Sequence, residues 1–384
     1  MKKRFHILTS ILCISALLIS CGNPSNTTEK PNKESEKSAT EYKLEAIKPK
    51  AYRSVKGLSL EPGATISIIG RYAGDSYWKE VEEGAKQAVA DLNKALGYKG
   101  SNKIRLSYSS PSIRDDVNGQ VNLLDQELDR APIAIGIATI DATACEIQFD
   151  LASENGIPIV TFDSGNDYQH IASHVATDNL EATKMAAEKL ANAIDNSGEI
   201  VIFSQDSIST TATTRLNGFM DVIKEKYPDI SIVDVYRFDE LEKTATEISN
   251  AEKEHPTDGK EPREVADITQ EDVVEYFLKK HPDLKGIYAT NLDTTQLVAK
   301  VIKKVDLTNL KFVGFDGGKE QVKLLENGTL EGIIVQNPYG MGYAAVVAAV
   351  RVSLGLANNS FVNTGYLWVT KENMNSKKIK PMLY

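Results

Sequence analysis

The sequence predicts an α/β protein of two Rossmann-like, doubly wound lobes, each built on a parallel sheet. Short apolar segments alternate with amphipathic helical segments from about residue 62 onward. This alternation runs twice along the 384 residues, which is enough chain for two lobes. Strands that alternate with helices form right-handed βαβ units, and such units build parallel sheets. The pattern therefore predicts one sheet for each run.

The first run predicts four strands and three helices. Short segments of apolar and β-branched residues indicate strands, whereas apolar residues three and four positions apart indicate helices. The predicted strands are 64–70, 104–109, 131–138 and 157–162. The predicted helices are 77–96, 115–128 and 142–155.

The second run predicts five strands and six helices by the same criteria. The strands are 199–204, 230–238, 284–290, 311–315 and 332–336. The helices are 179–194, 211–226, 270–281, 294–304, 319–326 and 340–354. The last of these helices is apolar on nearly every side, which predicts that it is buried between other elements.

A polar segment at 240–268 interrupts the second run. It contains Pro256, Gly259 and Pro262, and it separates a predicted strand from its partner helix. Long irregular connections in compact domains are often functional loops or disordered inserts. We interpret the segment as an insertion on one lobe, and its contact with the cleft, with a partner or with solvent alone stays open.

The N-terminus has the features of a secretion signal. Residues 1–4 are Met-Lys-Lys-Arg, and 5–19 form an apolar segment that is short for a membrane span. Residues 18–22, Leu-Ile-Ser-Cys-Gly, resemble the lipobox of bacterial lipoproteins, in which Cys21 is lipidated. The alternative is an ordinary signal peptide in which the cysteine occurs by chance. We interpret 1–21 as a lipoprotein signal peptide, and we expect an extracytoplasmic protein anchored to the cell membrane at Cys21.

The segment 22–60 is predicted to be a disordered tether between this anchor and the folded part. Its first thirty residues are mainly Asn, Ser, Thr, Glu, Lys and Pro. A segment with so few large apolar residues cannot bury enough surface to fold.

The composition excludes several classes of function. The formal net charge of −9 argues against a nucleic-acid partner. Cys13 would leave with the signal and Cys21 would carry the lipid, so Cys145 has no partner for an internal disulfide. The sequence has no metal-ligand spacing, no phosphate-binding loop and no catalytic Ser/His/Asp order. We therefore expect no metal, no cofactor and no enzymatic activity.

The stretch 311–318 places a carboxylate at the end of a predicted strand. Apolar residues lead to Asp316, and two glycines follow it. Ligands of open parallel sheets bind beyond the carboxyl ends of the strands, where Asp316 could accept hydrogen bonds from hydroxyl or ammonium groups. The alternative is that Asp316 only caps the next helix.

Six motifs in a fixed order carry a family resemblance. They are Tyr-Trp at 77–78 with Glu-Gly-Ala at 83–85, Ile-Pro-Ile-Val-Thr-Phe-Asp at 157–163, Ser-His-Val-Ala-Thr-Asp-Asn at 173–179, Arg-Leu-Asn-Gly-Phe at 215–219, Val-Gly-Phe-Asp-Gly at 313–317, and a strand at 332–336 that ends in Gln. With these motifs, residues 64–370 resemble the periplasmic sugar-binding proteins of ABC transporters. The resemblance is to the ribose/galactose-type branch of the type I periplasmic-binding fold.

The resemblance implies a hinge and one small ligand clamped between the lobes. Three crossings would join the lobes near 176–179, 336–338 and 362–366. The N-terminal lobe would be 62–176 plus 337–364, and the C-terminal lobe 177–336 plus 365–384. Such a protein is a monomer that closes on a monosaccharide-like ligand and delivers it to an ABC transporter permease. The alternative on the same fold is a ligand-sensing receptor partner for a membrane histidine kinase or chemoreceptor.

The resemblance also implies a set of ligand-binding residues, for which capping or hinge structure is the alternative role. They are Asp75, Tyr77, Trp78, Asp141, Asp163, Thr213, Arg215, Asn291, Asp316 and Gln336. Aromatic rings would cover the C–H faces of a sugar, and carboxylates and amides would bond its hydroxyl groups. The ribose-type pattern has arginines where this chain has Ser164 and Thr213, and Arg71 could supply a cation instead. The identity of the ligand therefore stays open.

Overall fold

Two sheets of six strands each organise the described residues of the computed structural model, which are 37–256, 261–307 and 309–384. The predicted signal peptide, the lipidation of Cys21 and the first part of the predicted tether lie outside these residues. The residues from Ser38 onward form one unit by their contacts. Within the described ranges, no helix is both long enough and apolar enough to cross a membrane.

The first sheet is parallel in every described pairing. Its strands are β1 (Thr65–Ile69), β2 (Arg105–Ser109), β3 (Ala134–Ile137), β4 (Ile159–Phe162), β5 (Ile171–Ala176) and β11 (Phe361–Asn363). They lie in the order β11-β5-β4-β3-β1-β2. The carboxyl ends of β1, β3 and β4 therefore lie side by side at one edge.

The second sheet is parallel except at one edge. Its strands are β6 (Gly198–Ser204), β7 (Ile230–Arg237), β8 (Leu284–Ala289), β9 (Lys311–Phe315), β10 (Gly332–Gln336) and β12 (Tyr366–Val369). They lie in the order β12-β10-β9-β8-β6-β7, and β12 is antiparallel to β10. Every residue of β10 is buried, as expected for a parallel strand that is covered on both faces.

Helices cover both sheets. They are α1 (Ala39–Glu45), α2 (Ser76–Leu96), α3 (Val117–Asp129), α4 (Glu146–Glu154), α5 (Asn179–Ala193), α6 (Thr210–Lys226), α7 (Leu241–Glu254), α8 (Gln270–Lys280), α9 (Leu292–Val305), α10 (Lys319–Glu326) and α11 (Pro338–Ser353). As predicted, α11 is buried, with no exposed position from Pro338 to Val350.

Two glycines bring α2 and α11 into close contact. A Cβ atom on Gly84 of α2 would lie 1.9 Å from the Tyr339 carbonyl oxygen of α11, and one on Gly342 would lie 1.9 Å from the Val81 carbonyl oxygen. Only glycine permits this approach of the two backbones. The contact fixes α2, whose first turn carries Tyr77 and Trp78.

The predicted fold class is confirmed, because each lobe has a parallel-dominated sheet with helices on its faces. The sequence prediction lacked β5, β11 and β12, of which β11 and β12 are edge strands of three and four residues. The chain passes from β11 in the first sheet to β12 in the second between Asn363 and Tyr366. The predicted boundaries of the lobes stay a prediction.

The predicted disordered tether is wrong for its second half. Residues 38–60 contain α1 and a turn of 3-10 helix at Lys50–Arg53, and Ile47 and Tyr52 are fully buried in the core of the first lobe. The backbone of Lys48 pairs with that of Asn363 beside β11. The average composition of the segment hid these few apolar side chains, which are enough to bind it to the folded body.

The polar segment 240–268 is also more regular than predicted. It contains α7, whose apolar face buries Ala245 and Ile248 against the core of the second lobe. Arg263 donates two hydrogen bonds to Glu252 and pairs with Asp272, which ties the return of the chain to α7 and α8. Of the residues that suggested an irregular segment, Gly259 lies outside the described residues, and Pro256 and Pro262 lie on either side of that gap. Its interpretation as an insertion stays a prediction.

Candidate ligand-binding site

A cavity of about 50 Å³ lies between the lobes, where the carboxyl ends of strands from both sheets face each other. Eight of the predicted ligand-binding residues line it: Asp75, Tyr77, Trp78, Asp163, Arg215, Asn291, Asp316 and Gln336. Eight of the ten residues that the family resemblance implied therefore lie together at one cavity, and they come from both lobes.

Asp163 is the contribution of β4 to the cavity. It follows the last residue of the strand and adopts a left-handed backbone conformation, with φ of 57°. Its Oδ1 accepts a hydrogen bond of 2.5 Å from the Tyr77 hydroxyl group. Burial raises the pKa of Asp163, although the Tyr77 hydrogen bond and the Arg215 charge oppose this rise.

Asp316 is the corresponding residue of the second lobe. It follows β9, again with a left-handed backbone and φ of 72°. Its Oδ2 accepts from the Leu292 backbone N–H at 2.9 Å, and its Oδ1 accepts from Gln336 Nε2 at 2.7 Å. Burial raises the pKa of Asp316 to about 6, despite the nearby Arg215 charge.

Arg215 lies behind both carboxylates on α6. Its guanidinium stacks on the Phe315 ring at 3.9 Å, Nε donates to Asn179 Oδ1, and Nη1 donates to the Thr290 carbonyl oxygen. Its Nη2 atom and the Gln336 Oε1 atom have no hydrogen-bond partner among the described residues, although both atoms are buried. Unpaired buried polar atoms are costly, so a donor and an acceptor remain for a bound molecule.

Tyr77 and Trp78 form the aromatic wall of the cavity. Asp75 caps α2 by accepting from the Trp78 backbone N–H at 3.0 Å, which orients both rings. The two rings meet edge to face, with centroids 5.2 Å apart, and Trp78 continues onto Phe162. Both aromatic side chains are less than a tenth exposed. Asp75 thus has both of its predicted roles, as a cap and as part of the lining.

Asn291 also combines capping with a position at the cavity. Its side-chain oxygen accepts from the Thr294 backbone N–H at the start of α9, and its Nδ2 donates to Gln205 Oε1 at 3.0 Å.

Two predicted residues lie away from the cavity, which corrects their assignment to the site. Asp141 bonds within its own turn, accepting from the backbone N–H groups of Thr143 and Ala144. Burial would raise its pKa, but these hydrogen bonds lower it. Thr213 is exposed on α6, where its hydroxyl group donates to the Ser209 carbonyl oxygen one turn earlier.

Ion pairs cross the cleft, and of their two arginines the sequence indicated only Arg71, as a cation near the site. Arg114 of the first lobe pairs with Asp293 of the second at 2.5 Å and with Asp75 at 3.2 Å. Arg71 pairs with Asp206 across the cleft at 3.4 Å. The described structure is therefore closed.

Further contacts join the lobes behind Asp163. The Thr211 hydroxyl group of α6 donates to the Asp163 carbonyl oxygen, and the Gly165 backbone N–H donates to Thr210 Oγ1. Ser164 also meets Thr210 at 3.3 Å between hydroxyl oxygens. Ser164, where the ribose-type pattern has an arginine, thus contacts the opposite lobe.

Several lining residues were not among the predicted set. They are Arg71, Arg114, Asp115, Gln205, Thr211, Leu292 and Asp293. Arg71 and Arg114 follow β1 and β2, so the strand-end rule that selected Asp163 and Asp316 also applies to them.

Tyr384, the last residue of the sequence, also reaches the site. Its hydroxyl group donates to Asp316 Oδ1 at 3.3 Å, and its ring meets the Tyr77 ring edge to face at 5.9 Å. No local pattern in the sequence could have found this contact.

The arrangement suits a polyhydroxylated molecule better than an anion. The lining contains three arginines and five aspartates, and most of the arginines are already paired with carboxylates. An anion would meet an excess of carboxylates. No group of three or more His, Cys, Asp or Glu residues that could hold a metal occurs among the described residues.

Comparison with sequences of known proteins identifies a family and several relatives. A family model of the periplasmic binding protein domain matches residues 66–357. The chain is 22% identical to the ribose import binding protein of Escherichia coli, over 76% of this chain and 85% of that protein. It is 22% identical to the xylitol-binding protein of Mycolicibacterium smegmatis, over 72% of each. A match to the ribose import binding protein of Haemophilus influenzae, at 24% identity, spans 61% of that protein.

Solved structures show the same fold. A carbohydrate transporter solute-binding protein from Agrobacterium radiobacter, in complex with D-arabinose, matches with a TM-score of 0.69 and 28% identity. The match covers 84% of this chain and 99% of that chain. A solute-binding protein from Agrobacterium vitis with bound D-fucose has a TM-score of 0.68 at 24% identity and supports the fold alone.

Proposed function

Because this chain belongs to the periplasmic binding protein domain family, we propose that it captures a sugar or polyol outside the cytoplasm by hinge closure. The bound ligand is then delivered to an ABC transporter permease. A lipidated Cys21 holds the protein at the cell membrane during this cycle.

The observation that carries the proposal is the pair of carboxylates Asp163 and Asp316, one from each lobe, at a single cavity. Each already accepts a hydrogen bond from a tyrosine hydroxyl group, Asp163 from Tyr77 and Asp316 from Tyr384. Buried carboxylates of this kind are strong acceptors for hydroxyl groups. A ligand with several hydroxyl groups would use both lobes at once, which is the requirement for closure around it.

Other groups at the cavity can bond the hydroxyl groups of a sugar or cover its C–H groups. Each sugar hydroxyl group can donate one hydrogen bond and accept others. Arg215 Nη2 supplies a donor and Gln336 Oε1 an acceptor. The Tyr77 and Trp78 rings supply apolar surface for the C–H groups.

The names of the relatives support the class of ligand. They include import binding proteins for ribose and D-apiose and a binding protein for xylitol, which are small polyhydroxylated molecules. The import binding proteins among them also support a role in uptake. The lipid anchor is supported by the lipobox-like sequence around Cys21.

A ligand panel tests the proposal. Residues 22–384 would be purified and screened by thermal shift and titration calorimetry with pentoses, hexoses, pentitols, amino acids and dipeptides. We expect one-to-one binding of at least one sugar or polyol, with a rise in the melting temperature. Stabilisation by an amino acid or dipeptide alone, with no response to any sugar or polyol, would refute the proposed ligand class.

A further inference from the structure

Tyr384 connects the two lobes at the cavity. Its ring packs against Tyr77 of the first lobe, and it contacts the apolar cores of both lobes. In the second lobe its hydroxyl group donates to Asp316 Oδ1, and its backbone N–H donates to the Gly317 carbonyl oxygen at 3.0 Å. The side chain therefore lies between the aromatic wall and the carboxylate of the candidate site.

The position of Tyr384 is fixed by the residues before it. Ile379 and Met382 are buried in the core of the second lobe, and a turn of 3-10 helix at Lys380–Met382 contacts α1. Leu383 lies against Gly317, where an added Cβ would be 3.2 Å from its side chain. These contacts hold the backbone in place, so that the Tyr384 side chain has a defined location beside Asp316.

Tyr384 occupies a hydrogen-bond acceptor position of Asp316 and the space beside it. A carboxylate has about four acceptor positions. Asp316 uses one for Leu292, one for Gln336 and one for Tyr384, which leaves about one for a ligand. Burial beside Asp316 raises the pKa of the Tyr384 hydroxyl group, which keeps it protonated as a donor at neutral pH. The ring packs against Tyr77, and the cavity that Tyr77 and Asp316 line is only about 50 Å³, whereas typical ligand pockets are about 300–1,000 Å³.

We propose that Tyr384 is a specificity-determining residue that sets the upper size limit of the ligand. Its ring packs against Tyr77 in the wall of the cavity and limits how far that wall can move, and its hydroxyl group occupies an acceptor position of Asp316 that a further ligand hydroxyl group would otherwise use. The proposal rests on the proposed function, because it concerns the selection of one sugar or polyol over another. A side chain that only tied the end of the chain to the lobes would affect stability and leave selectivity unchanged.

Three substitutions separate these two roles. Tyr384→Ala removes the ring that supports Tyr77 together with the hydroxyl group, Tyr384→Leu removes the hydroxyl group and leaves a smaller side chain against Tyr77, and Tyr384→Phe removes the hydroxyl group alone. Tyr98→Ala is the matched control, because Tyr98 is also a half-buried tyrosine whose hydroxyl group donates one hydrogen bond, to the Leu60 carbonyl oxygen far from the cavity.

The measurement is the ratio of association constants for six-carbon and five-carbon ligands. D-ribose, D-arabinose and xylitol serve as the smaller probes, and D-fucose, D-tagatose and D-galactose as the larger ones, by titration calorimetry. Tyr384→Ala should raise the ratio by about tenfold, as expected for space gained in a binding pocket. Tyr384→Leu should raise it less, Tyr384→Phe should leave it within about threefold of the wild type, and Tyr98→Ala should not change it.

Two different results would overturn the inference, and they are distinguishable. If the wild type binds sugars and both Tyr384→Ala and Tyr384→Leu keep its ratio while their melting temperatures fall, Tyr384 is a structural tie only. The proposed function would then stand. If neither the wild type nor any variant binds a sugar or polyol, the proposed function fails and the inference fails with it.

Discussion

Asp163 and Asp316 occupy equivalent positions in the two lobes, and both face the same cavity. Each follows the last residue of a strand in a left-handed conformation, which a side chain other than glycine adopts at a cost of about 1–2 kcal/mol. Each backbone N–H still bonds the neighbouring strand, Asp163 to the Val175 carbonyl oxygen and Asp316 to that of Ile334. The sheets thus hold both carboxylates in a strained conformation that turns them toward each other across the cleft.

The charge of Asp316 should be required for tight binding. Asp316→Asn keeps the size of the side chain but replaces a charged acceptor. A hydrogen bond to a charged group contributes about 1.5–3 kcal/mol, so the sugar affinity at pH 7.5 should fall by about tenfold or more. Titration calorimetry would measure the change. Asp306→Asn is the control, because Asp306 also has a left-handed backbone but is exposed on the same lobe. If Asp316→Asn binds the sugar within about twofold of the wild-type affinity, the prediction is wrong.

The burial of Asp316 should also make the unliganded protein less stable as the pH rises. The folded protein keeps the proton of Asp316 up to about pH 6, whereas the ordinary pKa of a free aspartate is 3.8. The folded state thus binds more protons between these values, and the free energy of unfolding decreases as the pH rises from about 4 to about 6.

Asp316→Asn removes this titration, so its unfolding free energy should decrease less over the same interval. One pKa unit corresponds to about 1.4 kcal/mol, which sets the difference at up to about 3 kcal/mol. Urea denaturation at pH 4.5, 5.5 and 7 would measure it. Parallel pH profiles for the wild type and Asp316→Asn would show that Asp316 does not titrate in this range.

The ion pair between Arg114 and Asp293 should favour the closed form, but only modestly. Both side chains are slightly more than a third exposed. Exposed ion pairs contribute about 0.2–1 kcal/mol. A double-mutant cycle with Arg114→Gln and Asp293→Asn should give a coupling energy in this range for sugar binding. The coupling should decrease at high salt.

The same cycle on Lys226 and Glu188 provides a control. This pair joins α6 to α5 within the second lobe and does not cross the cleft. Its coupling energy for sugar binding should be zero within error. Equal coupling energies for the two pairs would show that the cleft pair has no role in closure.

The strand-end rule explains which site residues the sequence could and could not reveal. Asp163 and Asp316 each end an apolar strand, a position at which a carboxylate is conspicuous. Arg71, which the sequence suggested as a cation, and Arg114 obey the same rule, but an arginine in a loop is common, and their partners across the cleft, Asp206 and Asp293, lie on the other lobe. Asp141 also follows a strand, yet its own turn supplies two backbone donors, and these local bonds hold it away from the cavity.

Contacts between distant parts of the chain could not be predicted from one sequence. Tyr384 bonds a residue 68 positions earlier, and its ring meets that of Tyr77, which lies far earlier in the sequence. No periodicity links such positions. The alternation of strands and helices is a local signal, and the sequence therefore predicted the α/β class and most elements but not β12, which pairs antiparallel at a sheet edge.

Lipidation at Cys21 should determine where the protein is found in the cell. Cys21→Ser removes the thiol that would carry the lipid, and at least two acyl chains are needed for stable anchoring. The variant should therefore move from the membrane fraction to the soluble extracytoplasmic fraction. Cys13→Ser, which lies within the apolar part of the predicted signal, is the control and should stay with the membrane. An unchanged distribution of Cys21→Ser would contradict the anchor.

The segment 38–60 should be an integral part of the first lobe, and Tyr52 offers the sharpest test. Its side chain is fully buried, and its hydroxyl oxygen accepts from the Asn359 backbone N–H at 2.7 Å. Truncating a large buried aromatic residue costs about 3–5 kcal/mol. Tyr52→Ala should therefore lower the free energy of unfolding by about 3 kcal/mol or more, as measured by urea denaturation.

Tyr42→Ala is the control for Tyr52→Ala within the same segment. Tyr42 lies on α1 and is only half-buried, so its truncation should cost about 1 kcal/mol or less. Because the segment also pairs with Asn363, where the chain passes between the sheets, Tyr52→Ala should also weaken sugar binding, whereas Tyr42→Ala should not. Equal stability of Tyr52→Ala and wild type would mean that residues 38–60 detach in solution, as a tether would.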